Sequence, residues 1–129
     1  MPDIEPFTPR GMLHKGWSAQ VNDYVIVCGW STGGKIFNVG DVSGDIHAFN
    51  SSKGESLWVN KSAHKGGLLG MSINKDGNIL ASSGQDGFVC FWRAEDGEKI
   101  KNIQLGKGWV EHLKWSPDGK YLAVAFSRD

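Results

Sequence analysis

The run from Gly29 to Lys35 reads G-W-S-T-G-G-K and satisfies G-x-x-x-x-G-K, the pattern of a loop that wraps phosphate in backbone amides. That chemistry also needs Ser or Thr after the lysine for magnesium, and a helix whose N-terminus faces the phosphates. Here Ile36 follows and both flanks alternate like strands, so the run is expected to be a hairpin loop. His14, His47, His64 and His112 include no pair at metal spacing with each other or with a cysteine. His47 and His112 are expected on strands, packed or facing solvent. Asp41, Ser43 and Asp45 open like a calcium loop but lack its closing glutamate, which leaves a strand-to-strand turn. Glu95, Asp96 and Glu98 surround a glycine and read as a solvated loop rather than an acid/base pair. Cys28 and Cys90 read as two buried thiols of a cytoplasmic protein. No catalytic residue, metal ligand or cofactor emerges, and the expectation is that the chain is not an enzyme.

These residues need a frame, and composition indicates which. The 129 residues include 18 glycines and 6 tryptophans, with 40% hydrophobic and 22% charged residues. Glycine reaches positive φ without a steric penalty, so many glycines between short apolar runs imply many tight turns and an all-β chain. The 14 basic and 14 acidic residues cancel, which predicts no nucleic-acid partner. No apolar run approaches the ~18 residues of a membrane span, which predicts no membrane contact. Met1 to Arg10 holds three prolines and no apolar core, so it is not a secretory signal.

The chain repeats itself. Gly87-Phe88-Val89-Cys90-Phe91-Trp92 lies over Gly44-Asp45-Ile46-His47-Ala48-Phe49, and Asp118-Gly119 lies over Asp76-Gly77. The period is about 43 residues, which is the period of a propeller blade. Residues 24–66 form blade 1, 67–108 blade 2 and 109–129 the first half of blade 3. Each blade holds four antiparallel strands, a to d, so the fold is an incomplete β-propeller of about two and a half blades. In blade 2 the expected strands are 68–73, 79–84, 88–93 and 99–105, separated by Asp-Gly turns that supply positive φ. Blade 1 follows with 24–30, 35–41, 45–50 and 55–60, and blade 3 with 109–115 and 120–126.

Two segments resemble a known family. Ser116-Pro117-Asp118-Gly119-Lys120-Tyr121-Leu122-Ala123 is similar to the a–b hairpin of WD-repeat β-propellers, and Leu80 to Trp92 is similar to their strands b and c. The resemblance implies a structural tetrad of His64, Ser82, Asp86 and Trp92, whose buried polar groups satisfy one another. The same three residue types make a Ser-His-Asp catalytic set elsewhere, but here the spacing is that of a blade staple. Blade 1 places Val39, Ser43 and Phe49 at the Ser, Asp and Trp positions, and blade 3 places Gly106 and Val124 at the His and Ser positions. Arg93 and Ala63 also depart from the family pattern. The expectation is therefore that only blade 2 is stapled and that the others rely on apolar packing.

Gly44 to Trp58 resembles instead the repeat of quinoprotein-type propellers, which implies that Trp58 packs between blades. Residues 1–23 are an N-terminal segment, a candidate ring-closing strand. Within it Leu13-His14-Lys15-Gly16-Trp17 matches Leu105-Gly106-Lys107-Gly108-Trp109, the link from strand d to the next strand a. Trp17, Trp109, Lys15 and Lys107 are on that reading candidate partner-binding residues at the rim of the central face. The resemblance implies a non-catalytic scaffold for protein partners, cut from a longer protein of about six to eight blades. Self-association is expected only if chains close a ring between them. The alternative is a quinoprotein-like propeller, either an enzyme or an envelope assembly factor.

Overall fold

Four Asp-Gly dipeptides punctuate the second half of the chain. Their glycines, Gly77, Gly87, Gly97 and Gly119, all lie at φ between 75° and 78°. An L-residue rarely adopts that backbone, so each dipeptide forces a reversal between short apolar runs. A computed structural model describes residues 16–127 and shows the result. Strands β1 (Val25–Ser31), β2 (Ile36–Asp41), β3 (Ile46–Asn50) and β4 (Ser56–Asn60) form one antiparallel sheet in chain order. Strands β5 (Leu68–Ile73), β6 (Ile79–Gly84), β7 (Phe88–Arg93) and β8 (Lys99–Gln104) form a second. Strands β9 (Trp109–Trp115) and β10 (Leu122–Ser127) pair as a third, two-stranded sheet.

The expected strands of blade 2 are observed almost residue for residue. β8 ends one residue early, at Gln104, the blade 1 strands each begin one residue late, and in blade 3 β10 begins at Leu122 rather than Lys120. Tyr121 is held in the turn, where its N–H donates to Ser116 Oγ at 3.0 Å and its carbonyl accepts from Ser116 N at 2.7 Å. The G-x-x-x-x-G-K run forms a hairpin whose tip, Thr32–Gly34, is a single 3-10 turn joining β1 to β2.

The same irregularity recurs in the innermost strand of every sheet. The register slips between Val25 and Val27, between Leu68 and Gly70, and opposite Ala125 and Phe126. Such bulges sharpen the twist and turn the strand start away from its neighbour.

The core lies between sheets rather than within one. Ile46, Leu68, Leu80, Cys90, Trp92 and Ala94 fill the first seam, and Ala81, Val89, Val110 and Leu113 the second. The first seam has a small face and a large face. The Leu68 side chain sits over Gly40, where a Cβ would lie 2.8 Å from Leu68 Cδ2. Ile73 covers Gly29, where a Cβ would lie 2.9 Å from Ile73 Cδ1. At these two places glycine admits the methyl ends of Leu68 and Ile73, which would have to shift to make room for a Cβ. Burial in the seam also pushes the Cys90 thiol up to about 11, so that cysteine is inert packing.

Candidate interaction face

One end of the sheets carries the b–c turns together with the links from strand d to the next strand a. In the second sheet this end is tied by a continuous hydrogen-bond chain. Trp92 Nε1–H donates to Ser82 Oγ at 2.7 Å. Ser82 Oγ bonds His64 Nε2 at 2.7 Å, and His64 Nδ1 bonds Asp86 at 3.0 Å. Asp86 also accepts from the backbone N–H of Phe88 at 3.1 Å and of Lys65 at 3.2 Å. His64 and Ser82 are fully buried. The structure thus brings together the four residues that the family resemblance implies. Burial holds the His64 imidazole below its ordinary range, against the pull of Asp86. A neutral ring with its proton on Nδ1 satisfies every partner in the chain. That proton is committed to Asp86, and Ser82 lies in the core without access to a substrate, so the set is a staple and not a nucleophile.

The expectation that blade 1 relies on apolar packing is corrected by the structure. Asp41 is fully buried at the end of β2, and its Oδ2 meets His47 Nε2 of β3 at 2.9 Å. Its Oδ1 accepts from Ser43 N at 3.0 Å, from Asp45 N at 3.3 Å and from the Ser43 hydroxyl. Asp45 Oδ1 accepts in turn from Ser62 N at 2.8 Å, which ties the next link to the same cluster. Burial opposes the charge on Asp41, but the hydrogen bonds from Ser43, His47 and Asp45 together hold its carboxyl below the usual range. This second staple has a steric origin. In blade 2 Gly84 leaves room for His64, since a Cβ there would lie 2.5 Å from His64 Cβ. Blade 1 carries Val21 at the His64 position, and the Asp41 side chain stands at the Gly84 position. The carboxylate therefore comes from strand b and the imidazole from strand c. Asp41, Asp45 and His47 bring ligand-type atoms within 4.8 Å of one another, but the Asp41 oxygens are saturated by protein donors.

With both staples in place the links are held rigidly. Gly87 lies against Gly106 O and Gly108 against Ser127 O, each so closely that a Cβ would collide. On this frame Lys61, Lys65 and Lys107 are exposed, and Trp109 at the start of β9 leaves 48% of its surface in water. Lys107 precedes Trp109 by two residues at this end of the sheets, and both are exposed. Lys15 lies outside the described residues.

Trp17 is placed elsewhere. Its Nε1–H donates to Ser51 O at 2.7 Å, its ring lies 2.6 Å from where a Gly54 Cβ would be, and Phe37 and Phe49 flank it at 6.4 and 6.0 Å. Trp58 does the same one blade later, donating to Ala94 O at 3.0 Å over Gly97. Trp17 is thus the counterpart of Trp58 rather than of Trp109, although residue 17 lies in no strand, and it packs at the opposite end of the sheet. The Lys-Gly-Trp match had suggested the other register.

The sequence profile of the family described as WD domain, G-beta repeat, matches residues 55–93 and 97–129. The chain is 26% identical over 104 residues to the cross-pathway control WD-repeat protein 2 of Flammulina velutipes, covering 81% of this chain and 29% of that protein. Among solved structures, the WD40 repeats of RRP9 superpose with a TM-score of 0.74 at 16% identity, covering 82% of this chain and 33% of the other. U3-55K gives 0.76 at 17%, covering 82% and 34%. The β-propeller domain of Cps50 (Swd1) from Myceliophteria thermophila gives 0.72 at 17%, covering 85% and 35%. The chain therefore spans about a third of the length of the proteins it matches.

Proposed function

The chain belongs to the WD-repeat β-propeller family, and on that premise we propose that it acts as a non-catalytic scaffold holding protein partners on the face that carries Lys65, Lys107 and Trp109. The observation behind this reading is a half-exposed tryptophan beside a lysine on a link fixed at both ends. Aromatic side chains that are partly exposed and already ordered lose little entropy on binding, and they dominate the energetics of many interfaces. The two polar staples support the same reading, since both hold connections at this face. The free thiols Cys28 and Cys90 fit a cytoplasmic setting.

The test is an affinity capture with the full chain and with the variant Lys65→Glu/Lys107→Glu/Trp109→Ala. All three residues are exposed, so the circular dichroism spectrum should not change. Partners held by the wild type should be lost from the variant. A folded variant that retains every partner would show that this face is not the binding surface.

A further inference from the structure

At the opposite end, among the a–b and c–d turns, a cavity of about 330 Å³ opens between the first two sheets. Thr32, Asn78, Ile79, Arg93, Glu95 and Ile100 line it. Thr32 sits at φ 51°, a backbone conformation that is a clear outlier for a β-branched residue. It is pinned there by a hydrogen bond from its N–H to Gly77 O at 2.6 Å. Its hydroxyl is buried and meets no hydrogen-bonding partner among the described residues. Strain of this kind concentrates at ligand-binding positions, and a buried polar atom without a partner calls for one.

The opposite wall is apolar. Ile100 lies where the β7–β8 register slips between Phe91 and Trp92, and it is 51% exposed. A bulge re-aims the side chain it carries. Charge completes the description. The Arg93 guanidinium is engaged by Asp96 and, at 2.6 Å, by Glu98. Glu95 makes no ion pair among the described residues. The uncommitted charge on the lining is therefore negative.

We propose that this cavity takes a basic side chain, lysine or arginine, from a partner polypeptide. Such a side chain has an apolar stem and a charged tip. Ile79 and Ile100 suit the stem, Glu95 suits the tip, and Thr32 Oγ1 and Asn78 offer polar contacts. An acidic side chain would meet Glu95 with like charge. The cavity lies at the other end of the sheets from the proposed scaffold face, so it constitutes a second docking point whose presence does not depend on that face.

The experiment is a titration of the ¹⁵N-labelled full chain with acetyl-Gly-Lys-Gly-amide, its arginine counterpart and its glutamate counterpart, followed by amide shifts. Saturable shifts at Thr32, Asn78, Ile79 and Ile100 are expected with the lysine or arginine peptide and not with the glutamate one. Glu95→Gln should weaken binding about tenfold by removing the charge partner, and Ile100→Ala by a smaller factor. Both side chains are exposed, so these variants should fold. Unsaturable shifts, an equal response to the glutamate peptide, or unchanged affinity in Glu95→Gln would each overturn the proposal.

Discussion

Ser82 and Ser83 are neighbours on β6 and both are fully buried, yet the same substitution should act oppositely on them. Ser82 Oγ joins Trp92 Nε1 and His64 Nε2, each at 2.7 Å. Ser82→Ala deletes the joint and leaves an indole N–H and an imidazole nitrogen buried without partners. Each such orphan costs about 1–3 kcal/mol. The two losses share one network and do not add fully, so about 2–4 kcal/mol is expected. Ser83 Oγ points to the other seam and has no hydrogen-bond partner. Ser83→Ala therefore removes an unsatisfied hydroxyl, with an expected change between zero and a gain of about 1 kcal/mol. At this chain length 1 kcal/mol shifts the melting temperature by roughly 3–5 °C. Thermal unfolding followed by tryptophan fluorescence and circular dichroism should give a fall of about 6–20 °C for Ser82→Ala and no fall for Ser83→Ala. Equal effects at the two positions would refute the claim that the hydrogen-bond chain, rather than burial of the strand, carries the stability.

Two further outcomes follow from the same geometry. His64 binds its proton less readily folded than unfolded, so stability should drop as pH falls below about 6.5, by up to about 1.4 kcal/mol per pH unit, and level off below the folded value. Asp41 is shifted down, so its contribution stands above about 3.8 and is lost as pH falls further, and denaturation across a pH series should show two separated steps, the upper one absent from His64→Gln. Trp17→Phe and Trp58→Phe each remove one indole hydrogen bond, the first on the first sheet alone and the second between the first two sheets. Each should cost about 1 kcal/mol, and chemical denaturation of the double variant should give nearly the sum.

The blades were legible because turn chemistry is local. An Asp-Gly pair announces its reversal whatever surrounds it, and strands 79–84 and 88–93 lie between such pairs. The tetrad was legible through the resemblance of Leu80 to Trp92 to strands b and c of WD-repeat propellers. The Asp41–His47 staple was hidden because it occupies other positions than the repeat predicts. Its signal was an aspartate at the end of one strand and a histidine diagonal to it on the next, a cross-strand pair that only a known register reveals. Trp17 was misaligned for a related reason. The match to Leu105-Gly106-Lys107-Gly108-Trp109 sets Trp17 beside Trp109, whereas the glycine turns at Gly54 and Gly97 put it in register with Trp58. The Thr32 conformation had no local signal, since it is imposed by the neighbouring sheet through Gly77.

The seams built from Gly29 under Ile73 and Gly40 under Leu68 also carry a direction. A face of small residues accepts a face of large ones, whereas two small faces would leave a void and two large ones would clash. Back-to-back pairing about a two-fold axis is therefore disfavoured, and contacts through these faces run head to tail. Head-to-tail order permits only two outcomes, a circle that closes or a filament that does not. A substitution such as Gly40→Leu, which fills the accepting face, would remove the polarity on which that circle depends.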